Sequence, residues 1–135
     1  MAPETYAGQA YDGRSIDVWC LGMMLFVMLF GVYPYAVPCA ALCPYFQQIA
    51  EGNFLPMVRG WGYGDLVSAD VLLLLDRMLT VDPRKRATID EVLASPWLRA
   101  QVAAREAETA AGKAAVADAA RPAAAMSIDD GSFLP

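Results

Sequence analysis

SIDVWCLGMMLFVMLFG, residues 15–31, decides how the rest of the chain is read. Ser15 is able to cap a helix, and Asp17 then stands in the first turn, where the helix dipole favours negative charge. Thirteen residues, 18–30, run apolar and are interrupted only by Gly22. A helix that is apolar all round is buried in a core or lies in a membrane. The run is shorter than the about 20 residues needed to cross a bilayer. No cluster of Lys or Arg flanks it as an orientation signal. It is therefore expected to be the central buried helix of a globular domain, more buried than any other segment.

Composition fits that expectation. A chain of 135 residues with 57% hydrophobic content suffices for one domain with a sizeable core. A net charge of -5, with the ten Lys and Arg scattered, argues against nucleic-acid binding, which needs a basic surface to displace counterions. The three cysteines, Cys20, Cys39 and Cys43, are an odd number, and Cys20 lies inside the apolar run. They read as small buried hydrophobes in a reducing compartment. Cys39 and Cys43 are four apart, but the chain has no His and no second cysteine pair, so no zinc site is expected. The opening residues MAPETYAGQA lack the basic and apolar regions of a secretory signal. A cytoplasmic protein with no membrane partner is the default.

On the N-terminal side, residues 2–13 contain Pro3, Gly8 and Gly13 with little periodicity and read as coil, closed by a Tyr11-Asp12-Gly13 turn. On the other side, Gly31 is a helix C-cap, and Pro34, Pro38 and Pro44 forbid a continuous helix. Pro44 is placed to open a short helix over residues 44–50 that ends at Gly52. Residues 53–66, rich in Gly and aromatics, read as a loop. Ser68 caps a helix whose apolar residues Val71, Leu72, Leu74, Leu75, Met78 and Leu79 form a broad stripe at helical spacing, stopped by Asp82-Pro83. Thr88 with Glu91 three residues later is a capping box for the next helix. Residues 99–121 are an Ala-rich helix-forming mixture, weakened at Gly112, and residues 122–135 read as a disordered tail. No strand and no repeat is evident, so the fold class is all-α.

Three pieces in order carry a family resemblance. Ala2-Pro3-Glu4 is an APE tripeptide, and Asp17-Val18-Trp19-Cys20-Leu21-Gly22 is similar to DVWSLG with Cys20 in place of Ser. Residues 82–88, DPRKRAT, followed by Ser95-Pro96-Trp97-Leu98, resemble a DPxxRxT…HPWF ending. Together they resemble the C-terminal lobe of a eukaryotic serine/threonine protein kinase, and the VMLFGVYPY passage leans toward the calcium/calmodulin-dependent kinase group. The resemblance implies a helical lobe with F, G, H and I helices around the central buried helix. It divides the chain into a partial kinase domain, residues 1–98, and an Ala-rich helix with tail, residues 99–135.

A kinase positions ATP and Mg with a Gly-rich loop, a strand lysine, a catalytic Asp with its Asn, and a metal-binding Asp. This sequence has no GxGxxG, no HRD, no DFG and no VAIK-like lysine. Gly60 to Gly64, GWGYG, precedes no strand and no lysine, and reads as a structural loop. No catalytic, cofactor-binding or metal-binding residue is therefore assigned to the chain. ATP and Mg are expected only for the intact parent, with protein substrates or regulators as partners. The resemblance further implies that Met1 is an internal methionine of a longer kinase, a true short protein being the other reading. The functional alternative to a kinase fragment is a non-catalytic helical interaction module derived from such a lobe.

Four residues take structural roles from the resemblance. Glu4 is expected to pair with Arg86, rather than Arg84 or Lys85, tying the end of the activation segment to the loop between the H and I helices. Asp17 in the family holds the catalytic loop through its backbone. Trp19 is a core aromatic, as are Trp97, Tyr33 and Tyr35 at the core or its edge. The catalytic loop and the preceding helix cover the central helix in the family. Here its apolar surface is expected to be incompletely covered.

Overall fold

The computed structural model describes residues 1–119, with side chains described through residue 115. The reading of residues 122–135 as a tail, and of residues 120 and 121 as helical, lies outside the described residues. Two compact units are present, Met1–Gln101 and the residues from Val102 onward. Among the described residues every element is a helix, as the all-α reading requires.

Helix α1, Pro3–Tyr6, lies where coil was expected. Proline at the first helical position, where no N–H is needed, and Glu4 in the first turn account for this single turn. Helix α2, Gly13–Phe30, begins before Ser15. Its cap is Asp12, whose carboxylate accepts from the Arg14 N–H at 3.2 Å. That start places Ser15 in the first turn and moves Asp17 beyond it, so Asp17 does not serve the helix dipole as expected. Gly31, at φ 71°, takes the left-handed conformation, and its N–H bonds the Val27 carbonyl at 2.8 Å to close α2.

Helix α3, Pro44–Ala50, opens on its proline as predicted. Helix α4, Phe54–Gly60, replaces part of the expected loop. Phe54, Met57 and Val58, at helical spacing, supply its buried face. Helix α5, Ala69–Met78, follows Ser68, which occupies the cap position without a side-chain hydrogen bond. Helix α6, Ile89–Leu93, has the full Thr88–Glu91 capping box. Helix α7, Pro96–Ala119, starts three residues before the Ala-rich segment, with Pro96 at its first position. Its side chains from Val102 through residue 115 are exposed.

The core of Met1–Gln101 is built where α2 meets α5. A Cβ on Gly22 would stand 2.9 Å from the Met78 Cβ, so the two helices touch at a point that leaves no room for a side chain. Trp19, Phe26, Phe46, Phe54, Leu75 and Leu79 share the main cluster. Val18, Leu74, Met78, Ala87 and Val92 form a second, against which Trp97 packs. The GWGYG segment contributes aromatics: Tyr63 stacks on Phe30 at 5.0 Å and Trp61 meets Phe26 edge-on at 6.4 Å.

Helix α2 also departs from expectation in its burial. Only Val18, Trp19, Gly22 and Phe26 are buried, a stripe at helical spacing, while α5 buries five of its ten residues. Helix α2 is thus not the most covered segment, because an all-apolar helix needs neighbours all round and α2 meets them on one side. Cys20 is exposed and Cys39 partly so, leaving Cys43 as the one buried thiol, and Tyr33 is likewise exposed.

Candidate functional site

The residues singled out in the sequence fall into two groups on α2. On its buried side stands an anchor built from Glu4, Arg86 and Trp19. On its open side stands Asp17, at the head of an exposed apolar stripe.

Glu4 and Arg86 are 3% and 4% exposed and 82 positions apart in the chain. Arg86 Nη1 donates to Glu4 Oε1 at 2.7 Å, and Nη2 donates to Oε2 at 3.0 Å, a two-point fork on one carboxylate. The remaining donors are also satisfied: Nε bonds the Thr80 carbonyl at 2.9 Å and Nη2 the Val81 carbonyl at 3.2 Å. Nη1 further reaches the Ser15 carbonyl at 2.8 Å and its Oγ at 3.1 Å. A buried guanidinium is tolerated because every N–H finds an oxygen. Arg84 instead pairs with Asp82 at the surface, and Arg77 with Glu91. Burial pushes the Glu4 carboxyl up, but the Arg86 hydrogen bonds and charge, with its own backbone N–H, together hold it below its ordinary value.

Trp19 is fully buried, and the Arg86 guanidinium lies over its ring at 4.8 Å. The indole Nε1–H donates to the Tyr35 hydroxyl at 2.9 Å, which donates to the Met1 carbonyl at 3.3 Å. Tyr35 was readable from sequence only as an aromatic; its hydrogen bonds depend on a loop path that apolar periodicity does not encode. Burial pushes the Tyr35 hydroxyl up to about 12.

The Asp17 side chain is exposed and has no hydrogen-bond partner among the described residues. Below it on the same side, Leu21, Met24 and Met28 project as a stripe, the last two 58% and 72% exposed. An open groove of about 600 Å³ between Met23, Tyr33, Tyr35, Pro38 and Tyr45 adjoins Met1. The Thr5 hydroxyl of α1 is buried without a partner among the described residues. No group of three or more His, Cys, Asp or Glu that would hold a metal forms among the described residues. Among the described residues the basic stretch before α6 is already engaged, Arg84 with Asp82 and Arg86 with Glu4, and the Thr88–Glu91 box closes the helix start, so these residues do not fit ATP and Mg.

Comparison with known proteins bears on this arrangement. Residues 1–98 match the protein kinase domain family. The chain is 35% identical over 106 residues to serine/threonine-protein kinase SIK2 of Gallus gallus, an alignment covering 78% of this chain and 12% of that protein. It is 37% identical over 100 residues to SIK1 of Mus musculus, covering 73% and 12%. It is 40% identical over 106 residues to the ovarian-specific kinase Lok of Drosophila melanogaster, covering 73% and 20%. The chain thus spans between 12% and 20% of the length of these relatives. With its match across residues 1–98, the chain belongs to the protein kinase domain family.

Proposed function

We propose that residues 1–98 form the helical, substrate-side part of a serine/threonine kinase domain of the calcium/calmodulin-dependent kinase-like group. In this reading the intact parent transfers the γ-phosphate of ATP, held with Mg, to protein Ser or Thr hydroxyls. The stretch described here contributes scaffold and holds no catalytic group. Its partners are the protein substrates or regulators of the parent, with no nucleic acid and no membrane among them. A cytoplasmic location belongs to the same proposal, in keeping with three free cysteines.

The observation that carries the reading is the open side of α2. Asp17, Leu21, Met24 and Met28 are exposed there, and in this reading the catalytic loop and the helix before it would cover them, a cover that an apolar stripe beneath a free carboxylate suits. The unpaired Thr5 hydroxyl is a further group that a larger domain would satisfy. Helix α2 is long and apolar enough, by length and composition, to cross a membrane. Its close contact with Met78 at Gly22 and its buried stripe favour a core helix instead.

The same open stripe favours a second reading, a non-catalytic interaction module that binds a partner protein there. Calorimetric titration of the purified chain with Mg-ATP tests the absence of catalytic machinery, which both readings share. No saturable heat is expected, and saturable micromolar binding would overturn it.

A further inference from the structure

Tyr35 has two features that core packing alone does not require. Its ring packs edge-on to Phe46 at 5.2 Å and lies tilted to Trp19 at 6.2 Å, and a phenylalanine would fill that space equally well. Its hydroxyl, however, accepts from the Trp19 indole N–H and donates to the Met1 carbonyl, bridging α2 to the backbone just before α1. Trp19 carries Arg86 against its ring, and Arg86 grips Glu4. The APE segment is thus held at two points, the Glu4 carboxylate and the Met1 carbonyl, and both holds converge on one indole. Ala2, Pro3 and Glu4 between them are buried.

We propose that Tyr35 is a positioning residue for the segment from Met1 to Glu4, fixing through its hydroxyl the path by which the backbone enters the APE turn. Under the kinase reading, on which its functional meaning rests, this backbone is the end of the activation segment that faces protein substrates. The hydroxyl keeps its proton at neutral pH, since burial pushes it up to about 12. The bridge is therefore a fixed strut and has no acid–base switch of its own.

Hydrogen exchange followed by NMR on the 135-residue chain tests this with Tyr35→Phe, which removes only the oxygen, and Tyr35→Leu, which removes the ring. In Tyr35→Phe the Trp19 indole N–H should exchange about tenfold faster, the scale of one lost buried hydrogen bond. The Tyr6 and Ala7 amides, bonded to the Ala2 and Pro3 carbonyls, should exchange faster with it. The Leu79 amide at the end of α5 should keep its protection. Tyr35→Leu should instead lower the thermal midpoint and speed exchange everywhere. Unchanged exchange in Tyr35→Phe at the indole and at α1 overturns the proposal. So does a uniform rise across all helices, which would make Tyr35 a packing residue only. The exchange result stands or falls on the geometry around Tyr35 alone, without the kinase reading.

Discussion

Helices α2 and α5 touch at Gly22, yet they are covered very differently. Helix α5 turns Val71, Leu72, Leu74, Leu75 and Met78 inward, and exposes Asp70 and Arg77 with a single large apolar residue, Leu73. Helix α2 is apolar all round, buries one stripe, and leaves Leu21, Met24 and Met28 in the open. The apolar width of a helix states how many neighbours it needs. For α5 the described chain supplies them, and for α2 it supplies them on one side. That difference is the physical content of the fragment reading.

The largest expected effect tests the bracket that ties α1 to the segment following α5. Replacing Glu4 or Arg86 by Ala strands the other charge in a buried site and should cost ~3–5 kcal/mol by denaturant titration. Arg86→Lys should not rescue, because an ammonium cannot supply the fork to Glu4 and the bonds to Thr80, Val81 and Ser15 together. The pair also sets an acid limit. Folding holds the Glu4 carboxyl below its ordinary 4.5, so the unfolded chain binds that proton more tightly. The pair's contribution is complete above about 4.5 and is lost as pH falls through the lower folded value. Glu4→Gln should flatten that part of the stability–pH curve, and an unchanged curve would show that the pair does not govern it.

Next in size, Leu75→Ala on the fully covered side should cost ~2–5 kcal/mol, since the cavity lies amid Trp19, Phe26 and Leu79. Gly22→Ala should cost ~1–3 kcal/mol, because its Cβ would meet the Met78 Cβ at 2.9 Å and force the helices apart. Smallest of all, Met28→Ser on the open side should change stability by no more than about 0.5 kcal/mol while lowering self-association. If Leu75→Ala and Met28→Ser cost the same, the contrast between the helices is wrong.

Much of this was legible beforehand. The register of APE against DPRKRAT named Glu4 and Arg86 among several acids and bases, and the structure places those two side chains together. The α5 stripe and the Thr88–Glu91 box were readable because each is a local pattern with one physical solution. Helix α4 was missed because Gly60, Trp61 and Gly62 dominated the composition, although Asn53 and the Phe54, Met57, Val58 spacing signalled it. The start of α2 was misplaced by choosing Ser15 over Asp12, two capping residues that sequence alone does not rank here. One-sided burial of α2 was expected only through the family resemblance, since apolar composition states a need and leaves open whether it is met. The Tyr35 bridge was invisible, because it depends on where the loop after Gly31 returns.

The central claim is that α2 keeps an apolar side which the described residues do not cover. Light scattering of the purified 135-residue chain in the presence of the hydrophobic dye ANS tests it most directly. The account expects dye binding and self-association, both reduced in a Met24→Ser, Met28→Ser double variant. A monodisperse monomer with no dye binding and a cooperative thermal transition would contradict it.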